Sequence, residues 1–249
     1  MRRGPRLLSI YADIGRTWWA WMPSLVALAV AIFVPLGAID ALAAHVEVDS
    51  LNITNGLKLL AVMAAVGAIT TTSLFGEVFF SGAVAISLTH PEHLNPPPLT
   101  KIARTLKYRR LVAVDLIYLF TVAAGFLLFV VPGVLAFVWL GLAGPVVEIE
   151  RRTVRDALRR SWQLVHGRFW TVFGVLVPIE IVGDVITDGI AGFVHHQLGD
   201  TFLASWLAES LGNVLTSPFF AVAAVLLTLT LIEAEDGAAP ALRSAPVPA

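Results

Sequence analysis

The sequence predicts an all-α fold: a polytopic integral membrane bundle of six spanning helices, with amphipathic helices at its surface. Three observations carry this. Of 249 residues, 57% are hydrophobic and only 14% charged, with a mean hydropathy of +0.80. A soluble domain is nearer a quarter charged and cannot bury so much apolar side chain. Second, each of six apolar runs reaches or exceeds the roughly 17–25 residues with which a helix crosses the hydrocarbon layer. Third, of 17 lysines and arginines only Lys58 falls on the far side of those runs, which satisfies the positive-inside rule if both termini are cytoplasmic. The absence of cysteine excludes disulfides, thiolate metal sites and cysteine nucleophiles.

Residues 5–20 carry Arg6 and Arg16, with Leu7, Tyr11, Ile14 and Trp18 along one helical side. That is the pattern of an interfacial helix lying on the membrane. Trp18, Trp19 and Trp21 then form an aromatic belt ahead of Pro23, and the first span follows at 24–44. Ala41-Leu42-Ala43 has the form of a signal-peptidase site. The apolar run is longer than a signal core and its tryptophan-rich lead is atypical, so the span is read as retained. A polar, acidic connection with Glu47 and Asp49 comes next; its Asn52-Ile53-Thr54 sequon matters only in a host that glycosylates. The second span, 57–88, exceeds the hydrocarbon thickness and must tilt, kink or protrude. Its hydroxyl run at 70–73 and Gly76 mark where a neighbouring helix comes close.

The connection that follows holds Pro96-Pro97-Pro98, a stiff extended stretch, then Lys101, Arg104 and Lys107 at helical spacing, then Arg109 and Arg110. The third span (111–130) and the fourth (133–149) form a hairpin with its corner at Pro132-Gly133, and Pro145 bends the fourth near its inner end. Thr153 and Asp156 have capping-box spacing and Gly167 supplies a stop, which predicts a short interfacial helix at 153–167. On it Val154, Ala157, Leu158, Ser161, Trp162 and Val165 share one face, opposite Arg152, Arg155, Arg159 and His166. The fifth span is 169–190, interrupted by Pro178. Residues 191–210 carry no lysine or arginine and either re-enter the membrane or lie on its outer face. The sixth span is 211–232. Residues 1–232 thus form a single membrane domain, and 233–249 a disordered cytoplasmic tail.

Three groups of residues carry a family resemblance: Val131-Pro132-Gly133-Val134, then Gly144-Pro145-Val146-Val147-Glu148, then the run from Asp156-Ala157-Leu158-Arg159-Arg160-Ser161-Trp162 through Gly167 to Trp170. Together they resemble the signature of the glycerophosphoryl diester phosphodiesterase membrane-domain family and related bacterial six-helix membrane proteins. The resemblance covers about 40 residues and implies architecture and a bacterial inner membrane. It implies no activity, because the family's phosphodiesterase chemistry belongs to a separate soluble barrel of which this sequence has no counterpart, and no catalytic residue carries over.

Two sets of side chains stand out as candidates. Glu180, Asp184 and Asp188 recur every four residues on the fifth span, and Glu77 and Asp115 lie within the second and third, so these five are candidates for an ion or proton path. The plainer reading is preferred, in which Pro178 ends the spanning part early, Asp184 and Asp188 sit at the interface, and Glu180 is protonated. Arg152, Arg155, Arg159, Arg160 and Trp162 are candidate contacts to anionic lipid, against the plainer view that the arginines only fix topology. His90, Glu92 and His93, and the His195-His196 pair, match no metal motif; no metal or other cofactor is expected. Ser161 has no base at a fixed spacing and is read as a packing residue. The sequence therefore predicts a non-enzymatic structural or accessory component of a bacterial inner membrane. Its expected partners are the bilayer, with anionic lipid, and a membrane protein or a second copy, but no nucleic acid. The alternative from another class is a small transporter or channel subunit using the acids of the fifth span; a lipid-modifying membrane enzyme comes third.

Overall fold

The computed structural model describes residues 7–44, 76–89 and 98–236. Every element among them is a helix: α1 (Leu7–Ala44), α2 (Glu77–Leu88), α3 (Leu99–Thr105), α4 (Tyr108–Leu128), α5 (Val130–Leu140), α6 (Ala143–Ile149), α7 (Val154–His166), α8 (Phe169–Leu198) and α9 (Phe202–Asp236). Five described stretches are long and apolar enough to cross a membrane: Leu8–Ile39, Tyr108–Leu128, Val130–Ile149 (α5 with α6), Phe169–Leu198 and Phe202–Glu235. These helices are compatible with a multi-pass membrane protein. The first part of the second predicted span, the hydroxyl run at 70–73, the His90, Glu92 and His93 group and the tail beyond 236 lie outside the described residues.

The bundle is built around α9. Every residue from 220 to 227 is buried, and a helix enclosed on all sides is the centre of a bundle rather than its wall. α1, α8 and α2 each pack against it. α2 is enclosed in turn, with Val78, Phe80, Ala83, Val84 and Ala85 fully buried, because α6 and α4 cover the sides that α9 leaves. α6 approaches so closely that a Cβ on Gly144 would run into the Val78 carbonyl oxygen. The outer faces of α4 and α8, by contrast, expose Phe120, Leu127, Ile181, Val182 and Val185, as lipid-facing walls do.

Several predicted boundaries move, each for a physical reason. α1 is one rod of 38 residues, so a separate interfacial helix at 5–20 and a span beginning at 24 are both incorrect. Ile10, Ile14, Leu25, Leu28, Ala29 and Phe33 are all buried and keep one helical stripe on the core across Pro23, whose ring is exposed. Trp18 belongs to that stripe rather than to a belt, stacking on Phe219 with 4.6 Å between ring centroids. A continuous second span over 57–88 is excluded at Gly76, where φ is +107° and an α-helix needs negative values. The close approach expected at Gly76 is present: a Cβ there would meet Leu36 of α1 at 2.8 Å.

The hairpin between the third and fourth spans turns at Phe129, which is extended (φ −166°, ψ 157°), and not at Pro132-Gly133. Those two residues occupy the start of α5. A proline is tolerated there because first-turn amides have no helical partner anyway. Gly133 instead permits contact between the arms, its Cα lying 2.7 Å from where a Cβ on Gly125 would be. The predicted fourth helix is divided at Gly141 and Leu142 into α5 and α6. The cause is Pro145, whose ring displaces the carbonyl four residues back, that of Gly141, so the interruption falls one turn ahead of the proline.

The fifth span does not stop at 190, nor do residues 191–210 form a re-entrant or surface segment. α8 continues to Leu198, turns at Gly199 (φ +67°), and α9 starts at Phe202. Val194, Ala204 and Ala208 seal this hairpin. α9 also absorbs residues 233–236, which the sequence reading assigns to the tail. Pro178 leaves α8 intact. The Gly174 carbonyl, which Pro178 has no N–H to serve, accepts a hydrogen bond from the Tyr11 hydroxyl at 2.7 Å instead.

Candidate functional site: a carboxylate cavity and a basic end

Of the five acids proposed for a path, three reach one cavity. It measures about 30 Å³ and is lined by Glu77, Glu180 and Asp184 together with Asn213, Thr216 and Ser217, among others. That is room for roughly two water molecules. At about 1.5 Å of rise per residue, Glu77 counted from Leu88 and Glu180 counted from Phe169 both stand about 16 Å in from their helix ends, half the hydrocarbon thickness. Gly76 and α6 set the position of Glu77. The left-handed turn starts α2 in the interior, and the packing of α2 on α6 and α9 carries its first residue to the cavity. Glu77 is only 7% exposed, and its Oε2 has no hydrogen-bond partner. Among the described residues, no lysine, arginine or histidine lines the cavity.

Asp115 does not join them. It reaches from α4 to the beginning of α2, where the Gly76 N–H donates to its Oδ2 at 2.8 Å, and the amides of Val78 and Phe79 face the same carboxylate. The first amides of a helix have no intrahelical acceptor and carry the positive end of the dipole. A buried carboxylate from another helix answers both needs, so Asp115 is a cap supplied in trans. Asp188 lies one turn beyond Asp184 on the exposed part of α8, outside the cavity, with Glu209 of α9 close enough for their charges to interact.

The candidate lipid contacts separate as well. α7 begins at Thr153, whose hydroxyl accepts from the Asp156 amide at 3.4 Å and donates to the Asp156 carboxylate at 2.6 Å. Asp is too short to complete the box to the Thr153 amide, and it bonds the cap side chain instead. Ala157, Ser161, Leu164 and Val165 are buried, and the Ser161 hydroxyl donates to the Trp139 carbonyl at 2.7 Å. The face expected to lie in lipid is thus turned into the bundle. Arg152, Arg155, Arg159 and Trp162 remain exposed.

Arg160 is withdrawn from that set, because it bonds Glu150 at 3.0 Å and Glu235, at the end of α9, at 2.7 Å. Burial opposes its charge, but the hydrogen bonds it donates to Glu235 and Glu150 outweigh that and hold the guanidinium above its ordinary pKa. Arg152 also pairs with Glu150, and Glu148 accepts from the Lys107 amide at 3.0 Å. This clasp ties the start of α4, the end of α6, α7 and α9 together at the basic end. At the opposite end His195 pairs with Asp200 at 3.1 Å. No group of three or more potential metal ligands occurs among the described residues.

Sequence reasoning overlooked Asn213, Thr216 and Ser217. Their signal was present, three polar residues at i, i+3 and i+4 on one side of a long, mainly apolar helix. The Glu150–Arg160–Glu235 clasp had no such signal, since its members are 10 and 75 positions apart. The chain matches no family model, no curated protein and no solved structure.

Proposed function

We propose that this chain is a non-enzymatic, multi-pass structural or accessory component of a membrane, with six spanning helices and both termini cytoplasmic, that holds its basic end against anionic lipid. Within that class its 131–170 stretch is similar to the glycerophosphoryl diester phosphodiesterase membrane-domain family, and a bacterial inner membrane is the proposed location. The reading is carried by the attitude of α7. Its apolar face is anchored in the bundle while Arg155 and Arg159 on it stay exposed, as does Arg152 just ahead of it beside Glu150, at the same end as the exposed Lys101, Arg104 and Arg109. A rigidly presented row of cations costs little to order, and each contributes about 1 kcal/mol beside an anionic leaflet. The test is the melting temperature in nanodiscs with and without phosphatidylglycerol. Anionic lipid is expected to stabilise the native protein, and the triple change Arg152→Ala, Arg155→Ala, Arg159→Ala to remove most of that gain. An undiminished gain in the triple variant defeats the reading.

A second reading, a small transporter or channel subunit, is favoured by one observation: Glu77 and Glu180, from separate helices, line one mid-depth cavity. Ionisable groups at that depth ordinarily mark an ion pathway.

A further inference from the structure

Glu77 buries a carboxyl oxygen, Oε2, that has no hydrogen-bond partner. An ionised group buried among apolar helices costs several kcal/mol unless something positive faces it, and among the described residues the lining offers nothing positive. It offers oxygens. Glu180 comes from α8, and Asn213 and Ser217 come from α9, both of the latter buried at 7% and 4% exposure. Carboxylate, amide and hydroxyl oxygens with no nitrogen or sulfur donor among them form the ligand set of a hard cation. The size limits the ligand further, since about 30 Å³ suits a ligand of very few atoms, such as one ion that has shed most of its water. Glu77, Glu180, Asn213 and Ser217 are four groups, and a divalent ion takes six or more oxygens, so a singly charged cation fits the set better.

We propose that this cavity binds one alkali cation of sodium size, held by Glu77 and Glu180 and completed by oxygens of Asn213 and Ser217. The inference rests on the transport reading of the cavity and deepens it by naming the ion. The way in is part of the same geometry. Asp184 at the rim, then Asp188 with Glu209 beside it, continue the acidic line along α8 toward the end away from the arginines, and a cleft of one sign concentrates the opposite ion.

The test uses the full-length protein in nanodiscs at constant ionic strength, with choline replacing sodium. Radioactive sodium binding and the melting temperature are both measured. The native protein is expected to bind sodium saturably and to be stabilised by it. Glu77→Gln and Glu180→Gln are each expected to weaken binding by about tenfold or more, and Ser217→Ala by less. Asp200→Asn, which removes a carboxylate elsewhere, should leave it unchanged. Helical circular dichroism and gel-filtration position confirm folding, and Asn213→Ala serves if Glu77→Gln does not fold. Absence of sodium binding in the native protein, a response to pH alone, or equal binding in Glu77→Gln and Glu180→Gln each overturns the proposal. Flux in proteoliposomes separates the two claims. Binding without flux retires transport and leaves the site standing, whereas flux indifferent to both glutamates retires the site and leaves transport standing.

Discussion

Lys107 shows how single residues at the basic end are held at a cost. Its Nζ is buried with no hydrogen-bond partner. Burial lowers its pKa below the usual lysine value of 10.5, Glu148 opposes that, and Arg110 and Arg151 reinforce it. A lysine whose pKa is lower in the folded state destabilises the fold wherever it is charged in both states. The penalty is complete below the folded pKa, fades as pH rises through the window between the folded and unfolded values, and is gone above both. Lys107→Met is therefore expected to raise the melting temperature at neutral pH, with the advantage shrinking as pH approaches 10.5. Denaturation of the two proteins across that range checks both sign and window. The Lys107 amide, which holds Glu148, is untouched by the change.

The stability of the elements depends on close approach as much as on apolar area. α2 and α6 are short, of 12 and 7 residues, and neither spans a bilayer alone. They hold each other because Gly144 lets the α6 backbone rest on the Val78 carbonyl and Ser81. In lipid, where apolar side chains gain nothing by leaving their solvent, such backbone contact is what drives helix association. Gly144→Ala is expected to cost about 1–3 kcal/mol, as overpacking does, and to disturb Glu77 at the head of α2. Gly189→Ala, with nothing within 4 Å of its would-be Cβ, should be neutral or gain up to about 1 kcal/mol of helix propensity. Chemical denaturation in detergent micelles distinguishes the pair. The reverse order of stabilities would show that the α2–α6 contact is not tight.

For the whole molecule, the arrangement places the exposed apolar corner of Phe129, Val130 and Val131 at the other end of the bundle from the arginines. With no native cysteine, single cysteines can be introduced against a silent background. Val131→Cys is expected to react with an impermeant maleimide on intact cells, and Arg155→Cys only after the membrane is opened. Labelling of both positions from one side would refute the proposed topology and with it the contact between α7 and the inner leaflet.

Helical content and the apolar runs were legible from the chain alone, because each is a local property: a run of apolar residues either is long enough to reach across a bilayer or is not. The short helix after Thr153 and the acidic stripe on α8 were readable for the same reason, whereas Pro145, expected to bend one helix, divides it in two. Tertiary structure decided the rest. Asp115 and Glu77 are both acids within apolar helices, yet one caps a helix supplied by another part of the chain and the other faces a cavity unpartnered, a distinction that depends on how α2, α4 and α9 meet. Pro23 and Pro178 are breaks by local rule, but a continuous buried stripe carries α1 past the first and the Tyr11 hydroxyl serves the carbonyl freed by the second. Which arginine faces outward and which is paired with Glu150 and Glu235 follows from the end of α9 arriving beside α7. In each case the deciding partner lies far off in sequence, and only packing brings it within bonding distance.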